Sequence, residues 1–548
     1  MKIGTYILTY ASACFLALAV SGCTVEKEYI VEYEAPEWME PPKEDEEEID
    51  VPLREKTDTY YLDAQGGNDS NDGKSESTAW KSLSKIGSMK LLPGDKVLLK
   101  RGCTFNEVFL INESQGSKKQ QILIGTYGNG DKPKIVAPGN SKHAVQIRNC
   151  EYITIENLDI KNHGSNAELY DRIGLNVHLD NYGVAHNIEI KGIDVHDLNG
   201  RLWKGEGAGV AIRMTITKEA VLNWFDGLLI EGCTVRNCTR NGISFTGNHT
   251  RDNWHPHKNV VIRENLFDGV PGDGIVAGEC DGALVEYNVM RNCPDPWGGQ
   301  HNAAAGMWPW SSDNTIIQFN EVSGHKATWD GQGFDADYNC IGTTIRYNYS
   351  HDNYGGFLLI CDDGSAKKTY SAGNIGTKIY GNVSYNDGTR PYKRPKDSKW
   401  FTPAIHISGP LEDCEVYNNI IYLCERTENI PEQDKRFVYA NGWSGDPISV
   451  EIRSNVFYSE VKESKFEATN TKGIKYTGNW YLGISPSSMG TSLDSNIKSE
   501  NKEFEAVLSK NADARKALEA GFLREVKTKT ATMITVDKNK IDTFFKNN

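Results

Sequence analysis

The sequence lacks long apolar segments after its N-terminus. Beyond residue 22, no stretch of the 548 residues approaches the roughly 20 consecutive apolar residues that a membrane-spanning helix requires. It also lacks a basic patch, and its formal net charge is −14. Because nucleic-acid binding depends on clustered Lys and Arg, we expect no nucleic-acid partner.

The N-terminus is the one exception to this shortage of apolar residues. Residues 1–22 combine a basic start with an apolar stretch of signal-peptide length. The following motif, Val20-Ser21-Gly22-Cys23, is similar to the bacterial lipobox. That resemblance implies cleavage before Cys23 and acylation of Cys23, and a plain secretory peptide is the alternative.

Residues 23–58 are rich in Glu and Pro, as in EYEAPEWMEPPKEDEEEID. Such a segment is too charged to bury a core, so we predict a lipid-anchored, acidic, flexible linker. We therefore expect an outer-membrane lipoprotein of the cell envelope, on the periplasmic side or at the cell surface. Its only contact with the membrane would be the lipid.

The cysteine spacing matches no common zinc site. Cys233 and Cys238 lie five residues apart, and no pair of CxxC motifs occurs. Without Cys14 in the signal peptide and Cys23 at the anchor, ten of the 12 cysteines remain. We expect mostly buried free thiols, although an exported protein could also form one or more disulfides.

A short repeat is what the sequence does contain. From about residue 150 a β-rich tetrad is followed by Asn and a hydrophobic pair, as in VIRENLF, LVEYNVM and TIRYNYS. The repeat predicts an all-β, right-handed, single-stranded parallel β-helix with small helical caps. Stacked asparagine side chains can bond to one another inside such a solenoid, so we assign them a structural role. The predicted ladder is Asn265, Asn288, Asn320, Asn348, Asn382, Asn419, Asn455 and Asn479.

The two ends of the solenoid are expected to be covered, because open strand edges promote aggregation. At the N-terminal end, STAWKSLSKIGSM predicts an amphipathic helix capped by Ser77 or Thr78. At the other end, residues from Asn501 have helical periodicity with a glycine stop. We predict a β-helix catalytic domain over residues 59–500 and a C-terminal helical cap and tail over residues 501–548.

A second strand of each coil begins with a small residue, as in NGISFTG, AGMWPWS, GFDADYN and GFLLICD. Alternation of side chains along a strand predicts that the second and fourth residues after the small one point outward. The predicted outward pairs are Ser244 and Thr246, Val276 and Gly278, Trp308 and Trp310, Asp335 and Asp337, Leu358 and Ile360, and His406 and Ser408. The same parity adds Asp362.

This strip carries the chemistry of a sugar site. Tryptophan faces stack on the apolar face of a pyranose ring, and paired carboxylates provide the acid and the base of glycoside hydrolysis. We predict Asp335, Asp337 and Asp362 as catalytic residues, with about 6.6 Å between the Cα atoms of the first two. The alternative is that these acids bind Ca²⁺ or are merely solvated. Additional candidates for substrate binding are Trp308, Trp310, His406, Asp363, Asp330, Glu279, His301 and Tyr354.

The opening YYLDAQGGNDSNDG…AWKSLSKI…PGDKVLLKRG and the repeats resemble the pectate-lyase-like superfamily of right-handed β-helix carbohydrate-active enzymes. Within it, DGQGFDAD…YNYSHDNYGGFLLIC is similar to the β-helical glycoside hydrolases of β-xylosidase, xylanase and α-fucosidase type. The resemblance implies a polysaccharide or oligosaccharide substrate, two acids on neighbouring coils and no required cofactor.

Two other functions stay open. A polysaccharide lyase would use Lys or Arg and Ca²⁺ on a uronate-containing, pectin-like glycan, but the predicted strip has no basic residue beside the aspartates. A non-catalytic carbohydrate-binding solenoid would use the tryptophans and leave the paired aspartates without a task. The sequence does not define the sugar, the linkage or the oligomeric state.

Overall fold

The structure is a computed structural model that describes residues 53–202, 207–215, 221–247, 251–295, 303–364, 371–395, 397–425, 436–461, 465–468, 472–483 and 494–548. Within these ranges the chain winds into coils, and each coil contributes one short strand to each of three parallel sheets. In chain order, a coil passes through the first, the second and then the third sheet. The predicted parallel β-helix is confirmed.

The first sheet contains 15 strands in the described ranges. One of them, Cys280–Asp281, pairs with His257–Arg263 and lies outside the linear order of the others. The others are, in order, Thr59–Leu62, Lys96–Lys100, Ile122–Tyr127, Ile153–Glu156, Val184–Lys191, Trp224–Glu231, His257–Arg263, Leu284–Glu286, Ile316–Gln318, Thr344–Arg346, Lys378–Tyr380, Cys414–Tyr417, Val450–Arg453 and Ile474–Thr477.

The second sheet contains 13 strands. They are Thr104–Phe105, Lys134–Val136, Asp159–Lys161, Asp194–Leu198, Thr234–Cys238, Leu266–Asp268, Val289–Arg291, Glu321–Ser323, Tyr349–His351, Val383–Tyr385, Ile420–Leu423, Val456–Ser459 and Trp480–Leu482. The third sheet contains 12 strands. They are Phe109–Asn112, His143–Arg148, Ile173–Asp180, Ala208–Thr215, Asn241–Thr246, Ile275–Gly278, Met307–Trp310, Phe334–Ala336, Leu358–Cys361, Ile405–Ser408, Arg436–Asn441 and Lys465–Ala468.

The core is a continuous apolar column inside the three sheets. Its residues come from alternate positions of each strand, and most are fully buried, among them Ile262, Ile317, Phe334, Ile360 and Ile407. The ten cysteines of the described part are free, and all but Cys424 are buried. The expectation of buried free thiols is confirmed there.

The asparagine ladder lies at the corner between the first and second sheets. Each side-chain amide donates to the Oδ1 of the next asparagine, for example from Asn348 Nδ2 to Asn382 at 3.0 Å and from Asn320 Nδ2 to Asn348 at 3.0 Å. The ladder runs unbroken from Asn265 to Asn479 and ends on Asp494, which accepts from Asn479 Nδ2 at 2.9 Å. Burial opposes ionisation of Asp494, but hydrogen bonds from Asn496, Asn479 and Gly478 lower its pKa.

A second, short ladder lies at the corner between the second and third sheets. His325 N donates to Asn353 Oδ1 at 2.9 Å, and Asn353 Nδ2 donates to Asp387 Oδ1 at 2.9 Å. Ser384 Oγ donates to Asp387 Oδ2 at 2.7 Å. Burial raises the pKa of the Asp387 carboxyl to about 6 against these hydrogen bonds.

The N-terminal cap differs from its prediction. A 3₁₀ turn, Glu76–Thr78, is capped by Ser75, and the only α-helix nearby is the short segment Ser84–Gly87. The predicted longer helix does not form because Trp80 pairs with Leu62 of the first strand and therefore needs extended backbone. The ring of Trp80 stacks on Tyr60, with 5.3 Å between the centroids.

The C-terminal residues form helices Lys502–Leu508, Ala514–Phe522 and Lys538–Asn547, with an antiparallel hairpin of Leu523–Lys527 and Thr532–Val536. The predicted glycine stop is wrong, since Gly521 lies inside the second of these helices. Lys498 pairs with Trp480 of the last coil, whereas the helices and hairpin lie along the side of the solenoid. The other short 3₁₀ turns are Ala167–Leu169 and Arg251–Asn253.

Candidate functional site

The candidate site is the outer face of the third sheet, where two columns of side chains point away from the core. The first column contains Val276, Trp308 and Asp335, followed by Leu359 and His406. The second column contains Gly278 and Trp310, then Cys361 and Ser408, and Asp337, which directly follows the strand Phe334–Ala336, contacts Cys361 in this column. The predicted outward positions of the tryptophans, of Asp335 and Asp337, and of His406 and Ser408 are therefore confirmed.

The predicted register of the strand Leu358–Cys361 is wrong by one residue. Leu358 and Ile360 are fully buried in the core, and Leu359 and Cys361 take the outward positions. The reason is that Phe357, not Gly356, occupies the place of Gly333 in the preceding coil, since Phe334 N donates to the Phe357 carbonyl at 3.0 Å. One extra residue thus separates the small residue from the strand.

This shift removes Asp362 from the predicted strip. Asp362 is 1% exposed, and its two carboxylate oxygens accept from the backbone amides of Gly364 at 2.9 Å and Asn374 at 3.2 Å. Burial raises the pKa of Asp362, the two amide bonds lower it, and the charge of Asp363 raises it further. We assign Asp362 a structural role in the turn after its strand, because both of its carboxylate oxygens accept hydrogen bonds from backbone amides.

Cys361 marks the centre of the acidic cluster. Its thiol donates to Asp337 Oδ1 with 3.0 Å between sulfur and oxygen. Burial raises the pKa of Cys361 well above its usual range, and the charges of Asp337, Asp335 and Asp330 add to this effect. Three carboxylates are thus close enough to act on one thiol, which stays protonated and serves as a hydrogen-bond donor.

The three acids differ in exposure. Asp335 is 6% exposed, whereas Asp337 and Asp330 are half-buried. Asp330 lies in the loop before the strand Phe334–Ala336. Arg390, itself 1% exposed, donates to the carbonyls of Ala327 at 3.0 Å and Asp330 at 2.7 Å. Arg390 therefore fixes the loop that carries Asp330, and no motif in the sequence predicted this role.

Trp308 is on the outward column but is largely covered. It is 6% exposed and packs against Val276, Ala305 and Trp310. Its indole Nε1 donates to Asp273 Oδ1 at 3.0 Å, and Asp273 is paired in turn with the fully buried Arg240 at 3.2 Å. Trp308 thus forms part of the groove wall, and its indole is positioned by the hydrogen bond to Asp273 of the buried ion pair.

Aromatic rings line the end of the groove next to Asp337. Tyr338 makes edge-to-face contacts with Trp310 and Trp443, with 6.5 and 6.1 Å between ring centroids. Burial raises the pKa of Tyr338 to about 12, aided by the charges of Asp337 and Asp363. Neither Tyr338 nor Trp443 was predicted, because both lie outside the repeated strand pattern.

The remaining predicted residues lie around this centre. His406 Nε2 bonds to Asn441 Oδ1 at 2.8 Å. Tyr354 makes an edge contact with Tyr392, with 6.0 Å between centroids. Glu279 is 3% exposed in the turn after the strand Ile275–Gly278. His301 and Cys23 lie outside the described residues.

No group of three or more metal-ligating side chains occurs in the described ranges. In the same ranges, no helix combines the length and the apolar character needed to cross a membrane.

Comparison with known proteins finds one family model and several relatives to which parts of this chain are similar. Residues 219–391 match the family model of the right-handed β-helix region. A curated lacto-N-biosidase of Bifidobacterium longum subsp. longum is 26% identical over 525 residues, covering 77% of this chain and 30% of that protein. The chain is similar to lacto-N-biosidases. It spans less than a third of the length of this relative.

Solved structures agree on the fold. Two crystal structures of GH136 lacto-N-biosidase from Eubacterium ramulus are each 24% identical, covering 75% of this chain and 68% of that chain. Their TM-scores are 0.55 and 0.53. Together with the sequence matches, these structures confirm the resemblance to right-handed β-helix carbohydrate-active enzymes. The relatives are named as lacto-N-biosidases, a type not named in the sequence prediction.

Proposed function

We propose that the chain is a glycoside hydrolase that cleaves an oligosaccharide in the groove of the third sheet. The observation that carries this proposal is the hydrogen bond between Asp337 and the Cys361 thiol beside a wall of aromatic rings, with Asp335 and Asp330 near enough for their charges to raise the pKa of the same thiol. Similarity to lacto-N-biosidases supports hydrolysis over the lyase alternative. Asp337 is the first catalytic carboxylate, because it is half-buried and directly beside the aromatic wall.

The chemistry requires a second carboxyl group across the scissile bond. One group protonates the leaving oxygen, and the other acts as a base on water or as a nucleophile at the anomeric carbon. Asp335 and Asp330 are the two candidates for that partner. Asp335 is adjacent on the same strand but 6% exposed, whereas Asp330 is half-buried on a loop held by Arg390.

Cys361 supports Asp337 in either case. A protonated thiol donates a weak hydrogen bond and carries no charge, so it fixes the carboxylate without pairing it permanently with a cation. A Lys or Arg at this position would form a salt bridge and oppose protonation of the acid.

The names of the relatives support a proposal for the substrate class. We propose an oligosaccharide that ends in lacto-N-biose, because the two kinds of relative are named for that activity. No cofactor is needed for hydrolysis by two carboxyl groups. Ca²⁺ would be required only for the lyase alternative.

The deciding experiment measures release of lacto-N-biose from 4-nitrophenyl lacto-N-bioside, followed by a screen of host and plant glycans with product analysis. We expect Asp337→Asn to reduce kcat roughly 10²- to 10⁴-fold, as the loss of a general acid or base does. The true partner, Asp335 or Asp330, will show a similar loss when replaced by Asn. The exposed Asp131→Asn is the matched control.

Three outcomes contradict the proposal. Products that absorb at about 235 nm, and that do not form in the presence of a chelator, would indicate proton abstraction and elimination by a lyase. Saccharide binding without turnover would indicate a binding solenoid. Full activity of Asp337→Asn would remove Asp337 from the reaction.

We also propose that Cys23 is acylated and that the protein is held at the cell envelope by this lipid and the acidic linker. The lipobox motif and the linker composition support the proposal. Metabolic labelling with an alkynyl fatty acid should mark the wild-type protein but not Cys23→Ala. Equal labelling of both would contradict it.

A further inference from the structure

Trp443 is an exposed aromatic side chain at the end of the groove. It lies in the loop after the strand Arg436–Asn441 and is 46% exposed. The other large hydrophobic side chains that are exposed in the described ranges are aliphatic. The indole of Trp443 is therefore accessible to a ligand and offers an apolar face for stacking.

The position of Trp443 connects it to the proposed catalytic acid. Tyr338 directly follows Asp337 in the chain, and its ring lies at 89° to the ring of Trp443 and at 82° to that of Trp310. Three rings from three different coils therefore form one wall beside Asp337. The Tyr338 hydroxyl, whose pKa burial raises to about 12, remains a proton donor at neutral pH.

The loop that carries Trp443 is held closely by its neighbours. A Cβ added at Gly409 would lie 1.7 Å from the Asp362 carbonyl oxygen and 3.2 Å from that of Trp443. A Cβ added at Gly364 would lie 2.8 Å from the Cβ of Ser444. These close approaches hold the backbone at Trp443 and Ser444 in place before any ligand arrives, which lowers the entropy cost of binding.

The chemistry of this corner fits a pyranose ring. The indole offers an apolar face for the C–H groups of the sugar, and Asp363 and the Tyr338 hydroxyl offer an acceptor and a donor for its hydroxyl groups. Asp363 is half-buried and directly precedes Gly364, which lies against Ser444, the residue after Trp443.

We propose that Trp443 is the stacking platform of a sugar subsite next to the cleaved bond, with Asp363 and Tyr338 as its hydrogen-bonding groups. The inference rests on the proposed function, since it places one sugar ring of the proposed oligosaccharide substrate against Trp443. Trp443 is a substrate-binding residue and takes no part in bond cleavage.

The test measures binding and turnover separately. In the Asp337→Asn background, calorimetry gives the Kd of lacto-N-biose and of lacto-N-biose-terminated tri- and tetrasaccharides, with and without Trp443→Ala. We expect the affinity gained from one added sugar ring to fall roughly 10-fold in Trp443→Ala. Trp443→Tyr, which keeps a ring, should restore most of it. Trp224→Ala, on the first sheet, is the control for loss of an indole elsewhere.

The outcomes separate the two proposals. Unchanged affinities at every length in Trp443→Ala, with normal turnover by the wild type, would overturn the subsite and leave the hydrolase intact. A length-dependent loss of affinity in Trp443→Ala, together with no cleavage of any glycan by the wild type, would support the subsite and overturn the hydrolase. A uniform loss in both Trp443→Ala and Trp224→Ala would reflect general instability and overturn the subsite.

Discussion

Asp387 should make the stability of the fold depend on pH. Its carboxyl group ends the short ladder, is fully buried and has a pKa raised by burial to about 6. In the unfolded chain the value is about 3.9. Protonated Asp387 is therefore favoured in the folded state, so its contribution to stability is complete below pH 4 and is lost as the pH rises through 6.

The magnitude follows from the shift. A difference of about two pKa units corresponds to roughly 3 kcal/mol between the protonated and ionised forms. Asp387→Asn removes the charge and keeps an oxygen for the amide of Asn353, while its new Nδ2 can donate to the Ser384 hydroxyl. The variant should match the wild type near pH 4 and exceed it by up to about 3 kcal/mol at pH 7.

Urea unfolding of both proteins at pH 4, 5, 6 and 7, followed by far-UV circular dichroism, measures this difference. Asp131→Asn, an exposed replacement of the same kind, should leave the pH dependence unchanged. A gain that is equal at pH 4 and pH 7, or no gain at either, would refute the reasoning.

Two further substitutions test the buried polar network. Asn348→Ala removes two donated and two accepted side-chain hydrogen bonds and leaves the buried backbone N–H of Asn320 without its acceptor, so we expect a loss of about 3 to 6 kcal/mol in urea unfolding. The exposed Asn511→Ala should cost under ~0.5 kcal/mol, and an equal loss would contradict the ladder's role. Asp273→Asn leaves Arg240 buried without its counter-ion and should cost about 3 to 5 kcal/mol; a thermal midpoint within one degree of the wild type would contradict this.

The asparagine ladder was predictable because asparagine recurs at the same position of successive coils. At that position each side-chain amide can form a hydrogen bond with the next one. The coil spacing varies from 23 to 37 residues, but a short β-rich segment precedes every asparagine of the ladder. Strand order and core-facing positions in the first two sheets follow directly from that motif. Local pattern was sufficient there because insertions lie in the turns and leave the strands intact.

The third sheet was less predictable because its strands begin at variable turns. Gly356 and Phe357 together replace a single residue of the neighbouring coil, and this shift moved Asp362 from the expected strip into a turn. Sequence alone could not distinguish the two registers, since Leu358, Leu359 and Ile360 are equally apolar. Arg390 and Trp443 could not be predicted at all, because each acts through contacts between loops that lie far apart in the chain.

The C-terminal segment has a consequence for how this solenoid can change in length. Lys529 pairs with Glu231 in an early coil, Ile534 N donates to Glu321 at 2.7 Å, and Phe545 contacts Trp480 in the last one. Adding or deleting a coil between these points would displace one end of the segment by about 4.8 Å relative to the other. A change in the number of coils would therefore break at least one of these contacts, so the C-terminal segment opposes insertion or deletion of a coil.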